Sequence, residues 1–199
     1  MKTLKIIGAI LTLVIALAWI NRTLHPKPLD EQALPSFGVG QVLAEEAARA
    51  LKDNGRVVLV NMPLGSVECK SQLEGFQKTL RRHAHVSLIG TRNFDVAETP
   101  AGRISFPQMA AVMKDYPNAD VIVSFLPVTS ITDAQLATLP KPAPKLIVKD
   151  WNRDDINRGM NAGLVVAAVS TRRLTSLPSD HPKTPRQWFD RYYDLVLAP

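Results

Sequence analysis

The stretch RVVLVNMPLGSVECKSQLEGFQKTL, residues 56–80, decides the fold. Its first six residues enclose the unbroken aliphatic run VVLV (57–60), the composition of a strand covered on both faces. Its last ten carry Leu73, Phe76 and Leu80 at i, i+3 and i+7, an apolar stripe at helical spacing. Strand, short loop and helix together make the first half of a βαβ unit. Two helix starts are open: Ser66 as N-cap, or Ser71 with Glu74 as a capping box five residues later. Gly75 sits inside the helix at a cost of roughly 0.5–1 kcal/mol relative to alanine. A stripe facing the sheet explains it as a point of close approach to neighbouring elements, which leucine would overpack by roughly 1–3 kcal/mol.

The same alternation continues outward. VGQVLAEEAARALKDNG places Val39, Val42, Leu43, Ala47, Ala50 and Leu51 on one helical face and stops at Gly55. HVSLIG (85–90), ADVIVSF (119–125), KLIVK (145–149) and LVVAAVS (164–170) read as further strands. Between them, ISFPQMAAVMKDY (104–116) reads as a helix with Pro107 in its first turn, SITDAQLATL as a shorter helix, and DDINRGMNAG as a helical turn. The spacing predicts an α/β, Rossmann-like three-layer domain with a mostly parallel sheet of about five strands. Ligands of such sheets sit at the carboxyl ends of the strands, near a topological switch point. The loops to examine are therefore 61–66, 90–98, 125–131 and 150–155.

Lys2 and Lys5 precede IIGAILTLVIALAWI, an uncharged run over 6–20 that reaches about 22 Å as a helix. Residues 1–24 are expected to form a transmembrane signal anchor, with Leu4 and Leu24 extending the span and the positive end in the cytoplasm. The alternative is a signal peptide cleaved near Ala18, after the ALA of 16–18. Either reading puts the rest on the extracytoplasmic, periplasmic side. NRTLHPKPLDEQALPSF, with three prolines, gives a tether over 25–37, followed by the α/β lobe over 38–170. Residues 171–199 form a tail packing back on the lobe, with a helix at 185–191 and the apolar end YDLVLA.

Composition and motifs exclude several activities. The formal net charge is +6, but the bases occur as pairs (Arg81/Arg82, Arg172/Arg173) and singles without an aromatic-interleaved stripe, so nucleic acid is not an expected partner. Cys69 is the single cysteine, which removes internal disulfides and thiolate zinc cages. In NMPLGSVECKS, Cys69 and Leu64 stand where a phosphate-binding loop needs glycines. Neither a G-x-G-x-x-G after a strand nor a G-x-S-x-G elbow is present. His83 and His85 lie at the edge away from the loops, and Asp154 and Asp155 point apart on a helix. No catalytic residue, metal or cofactor is expected. The polar candidates are Asn61 and Ser66 in the first loop, Asn93 and Asp95 in the second, and Asp150 with Trp151 after the fourth strand. A carboxylate beside a flat aromatic face suits sugars and other polyols.

The order VGQVLAEEAARAL, GRVVLVN, LEGFQKTL resembles the opening of the C-terminal lobe of type I periplasmic binding proteins, the sugar-binding family related to ribose-binding protein and LacI-type repressors. FPQMAAVMKDYPNADVIVSF resembles that family's helix, turn and strand, and KLIVKD with INRGMNAGLVVAAVS its later strands, so the likeness covers roughly 38–170 as a single lobe. The resemblance adds Gln72 to the candidate ligand residues, at a position where the family carries arginine, and retains Asp150. Leu126 and Pro127 stand near its sugar-gripping Asn-Asp pair. With the anchor read from residues 1–24, the resemblance implies a membrane-anchored, non-enzymatic domain. Such a domain would bind a small polar, sugar-like ligand weakly, because one lobe buries about half of what a closed two-lobe pocket does. The same edge could hold a protein partner or a second copy. The alternative is a scaffold or assembly protein of a cell-envelope complex without a small-molecule ligand.

Overall fold

Aliphatic runs and amphipathic helices assemble as the alternation predicts. The computed structural model describes residues 31–199 except 53, 63, 64, 100, 101, 130, 150–152 and 174–180. The expected anchor and residues 25–30 of the tether lie outside these. Among the described residues no helix is long and apolar enough to cross a membrane.

In chain order the elements are α1 (Leu34–Ala50), β1 (Gly55–Asn61), α2 (Val67–Leu80), β2 (Val86–Asn93), α3 (Phe106–Asp115), β3 (Val121–Ser124), α4 (Asp133–Ala137), β4 (Lys145–Lys149), α5 (Arg153–Asn161), β5 (Val165–Thr171), α6 (Pro185–Tyr192) and β6 (Tyr193–Leu197). Gln32–Pro199 form one compact unit. The strands form one sheet in the order β2-β1-β3-β4-β5-β6, parallel except for β6, which runs antiparallel to β5.

Successive residues of each strand feed opposite faces, as a period of two requires. Val57 and Leu59 of β1, with Val121, Val123, Ile147 and Val169, pack under α1, α2 and Phe189 of α6. Val58 and Val60, with Ile122, Leu146, Val148 and Ala168, pack under α3 and α5. The result is the predicted three-layer domain.

Three expectations need correction. The sheet has six strands rather than about five: YDLVL pairs with β5 from Thr171↔Tyr193 to Ala167↔Leu197. That strand follows α6 with no intervening turn residue, and its hydrogen bonds go to a distant segment, so local pattern does not reveal it. The helix before β1 starts at Leu34, inside the stretch 25–37 read as a tether. Pro35 occupies its first turn, where a missing N–H costs nothing, and Ala33 and Phe37 are buried. The same helix ends at Ala50, which is exposed; Gly55 opens β1 instead of stopping α1. Lys52 takes the left-handed turn conformation, with φ of 51°.

Glycine explains how α1 fits. It is buried along most of its length between α2, α6 and the sheet. A β-carbon at Gly40 would collide with the carbonyl oxygen of Gln72, and one at Gly75 with the carbonyl oxygen of Phe37. The two helices therefore meet backbone to backbone at this crossing, which is the close approach inferred for Gly75. Gly38, the residue after Phe37, faces a different neighbour and meets the carbonyl of Pro185 at the start of α6 in the same way.

Alanine at Gly40 or Gly75 should lower stability by about 1–3 kcal/mol through overpacking, although helix propensity alone predicts a gain of about 1 kcal/mol. Equilibrium urea unfolding decides between the two signs. A more stable variant would contradict the close-contact account.

Candidate ligand edge

In this sheet β2 and β3 flank β1, so the chain leaves the carboxyl end of β1 in one direction and re-enters on its other side. Such a reversal opens a crevice beyond the strand ends. Asn61 ends β1 at this point, Asn93 ends β2 as its register partner, and Ser124 ends β3.

The first loop leads into α2, and the structure selects Ser66 as its N-cap. The Ser66 hydroxyl accepts the Cys69 N–H at 3.2 Å, while Ser71 is buried within the helix. The first turn also holds Glu68, whose carboxyl lies below its ordinary value because its own backbone N–H and then Ser66 hydrogen-bond to it. The positive end of this helix thus already has an internal acceptor and an internal carboxylate.

The second loop is held by its own contacts. The Phe94 N–H donates to the Asn61 carbonyl at 2.9 Å, and Phe94 is buried beneath the Arg92 guanidinium, 4.9 Å from the ring centre. The Asp95 N–H donates to Glu98 at 2.9 Å, and the Thr99 hydroxyl donates to the Asp95 carbonyl at 2.9 Å. Arg92 and Glu98 form an ion pair at 3.2 Å.

The third loop turns inward. Ser124 donates its hydroxyl to the Leu126 carbonyl at 2.7 Å, and the Phe125 N–H donates to Val60 at 2.9 Å. Phe125 meets Phe76 of α2 edge to face, and Leu126, Val128 and Ile131 join the core. The Ile104 N–H donates to the Pro127 carbonyl and the Thr129 N–H to the Ile104 carbonyl, which ties this loop to the segment before α3. Arg158 of α5 donates to the Ile131 carbonyl at 2.6 Å.

The sequence-predicted residues are thereby separated. Asn61 and Gln72 are buried, with 2% and 5% of their surface exposed, whereas Ser66, Asn93 and Asp95 are at the surface. Gln72 lies on the stripe of α2 that packs against α1, and its Nε2 has no hydrogen-bond partner among the described residues. Asp150 and Trp151 lie outside the described residues. His83 and His85 sit in the turn between α2 and β2, and no group of three or more metal-ligating side chains occurs among the described residues.

An open cleft of about 1190 Å³ lies farther along, where β5 ends against β6. Arg103, Arg172, Arg173, Ser170, Thr171 and Asp194 give it polar walls, with Ile156, Leu195 and Val196 as apolar ones. Arg172 is fixed by Asp194 through Nε at 2.8 Å and Nη2 at 2.6 Å. The pair Arg172/Arg173 is plain in the sequence, but its place at this cleft is not. The signal was available: the pair directly follows the carboxyl end of the fifth strand, the edge already singled out for the other loops.

Together, the sheet order and its reversal define a Rossmann-like α/β domain with the fold of a type I periplasmic sugar-binding protein lobe. Two solved structures are particular instances of the likeness. An arabinose-binding protein from Geobacillus stearothermophilus is 20% identical, with a TM-score of 0.51 over 68% of this chain and 45% of its own. A solute-binding protein of an ABC transporter from Burkholderia graminis, solved with D-arabinose, is 17% identical, with a TM-score of 0.54 over 85% of this chain and 60% of its own. The chain thus spans about half the length of these proteins, consistent with a single lobe. No protein-family model and no curated protein matches the chain.

Ser66→Ala should cost about 1 kcal/mol of stability by removing the N-cap acceptor of α2, whereas Ser71→Ala leaves that cap intact. Urea midpoints of the two variants check this. A loss confined to Ser71→Ala would move the cap to the later serine.

Proposed function

We propose that this chain is a non-enzymatic binding domain that takes a small polar, sugar-like ligand weakly at the carboxyl edge of its sheet. It is held outside the cytoplasmic membrane by residues 1–24. The reading rests on the switch point between β1 and β3, where Asn61 and Asn93 end neighbouring strands and the exposed Ser66 and Asp95 follow in the adjoining loops. The fold likeness supports it: the two neighbours described above are named for arabinose binding or were solved with D-arabinose. The hydrophobic leader, Lys2 and Lys5 support the anchor.

A second reading is a scaffold in an envelope complex whose ligand edge contacts protein. One observation favours it. Leu126, near the place where the sugar-binding family carries polar grips, is only 4% exposed and belongs to the core, so this position offers a sugar no hydrogen bond from its side chain.

Thermal shift of the full chain in detergent separates the two. The ligand reading expects a pentose or hexose at millimolar concentration to raise Tm, by mass action on the folded state. It also expects Asn93→Ala with Asp95→Ala to reduce that rise. No rise with any monosaccharide, together with co-purification of a membrane complex, would favour the scaffold.

A further inference from the structure

We infer that the cleft between the ends of β5 and β6 binds a phosphate monoester of a small polyol. This inference rests on the proposed polar-ligand reading and names the chemical class of ligand.

The cleft is concave and carries an excess of positive charge. Among the described residues, three guanidiniums line the cleft together with one carboxylate, Asp194, which is engaged by Arg172. Arg103 and Arg173 form no ion pair among the described residues, and both line the same space. A phosphate monoester carries about −1.5 to −2 at pH 7, so it balances that pair, and its oxygens suit the fork of an arginine. Neutral sugar would leave both charges uncompensated.

The site is also built on rigid backbone. Ser170 and Thr171 end β5 in register with Asp194 and Tyr193 of β6. The ladder extends one step further, because the Arg172 N–H donates to the Tyr192 carbonyl at 2.8 Å. Arg172 therefore leaves the sheet in a fixed direction, braced by Asp194, and Arg173 follows it directly. Arg103 enters from the segment before α3, whose next residue, Ile104, is bridged to Val128. Three separate parts of the chain converge on the cleft. Ile156, Leu195 and Val196 supply apolar wall for a carbon skeleton, and about 1190 Å³ accommodates a sugar phosphate with water.

Isothermal titration of the full chain in detergent with D-arabinose 5-phosphate, against D-arabinose, tests the inference. Three proteins are compared: the unchanged chain, Arg103→Gln/Arg173→Gln, and Arg81→Gln, which removes one surface charge near the opposite edge. Tighter binding of the phosphate ester, weakened at least tenfold in the double variant, retained in Arg81→Gln and reduced by added salt, supports the inference. Equal binding of both sugars, unchanged in the double variant, overturns it and leaves the polar-ligand reading standing. No binding of either overturns both. Binding only to phosphatidylglycerol vesicles, in a parallel sedimentation arm, overturns the soluble-ligand inference. Circular dichroism of the double variant verifies its fold; both replaced side chains are exposed.

Discussion

The rest of this domain depends on the backbone contact between α1 and α2. Gly40 lies against the Gln72 carbonyl and Gly75 against the Phe37 carbonyl, so no side chain separates the two helices there. Because α2 follows β1 directly, the contact fixes where the first loop leaves the sheet. It also presses Phe76 toward Phe125, which holds the end of β3 beside the end of β1. The switch point is therefore positioned by packing on one face of the sheet. The price in helix propensity is about 1 kcal/mol per glycine.

The carboxyl edge that results is uneven in character. At β1 and β3 it is closed by Leu126, Val128 and Phe94, and its amides at Asn61 and Gln72 are buried. At β5 and β6 it is open, polar and positively charged. The terminal strand creates this asymmetry. By pairing antiparallel on β5 it extends the sheet, and it carries Asp194 to the place where Arg172 needs a partner. A lobe with the topology of the sugar-binding proteins thus has an open, arginine-lined surface at one end of the carboxyl edge.

Much of the fold was legible in the sequence because the signals are local and repeated. RVVLVN and KLIVK are segments of strand length with aliphatic centres, and β4 occupies Lys145–Lys149 as read. Leu73, Phe76 and Leu80 announced α2, and Gly75 its close neighbour. The sixth strand was not legible, since its partner lies more than twenty residues away and no turn residue marks its start. The early start of α1 was masked by Pro35, which reads as a tether residue until its first-turn position is known. For the site, the edge was legible but the burial was not. Asn61 and Gln72 have polar side chains at plausible positions, yet the helix crossing that covers Gln72 depends on Gly40, far away in sequence. The arginine cleft needs three distant segments at once, which no local pattern encodes.

The central claim is that the carboxyl edge of the sheet is the functional face. Amide chemical-shift mapping of the ¹⁵N-labelled chain, titrated with D-arabinose and D-arabinose 5-phosphate, tests it most directly. The account predicts shifts concentrated at Asn61–Ser66, Asn93–Asp95 and Ser170–Arg173, at the ends of parallel strands. Shifts confined to Lys52–Gly55 and His83–Val86, at the opposite edge, would contradict it.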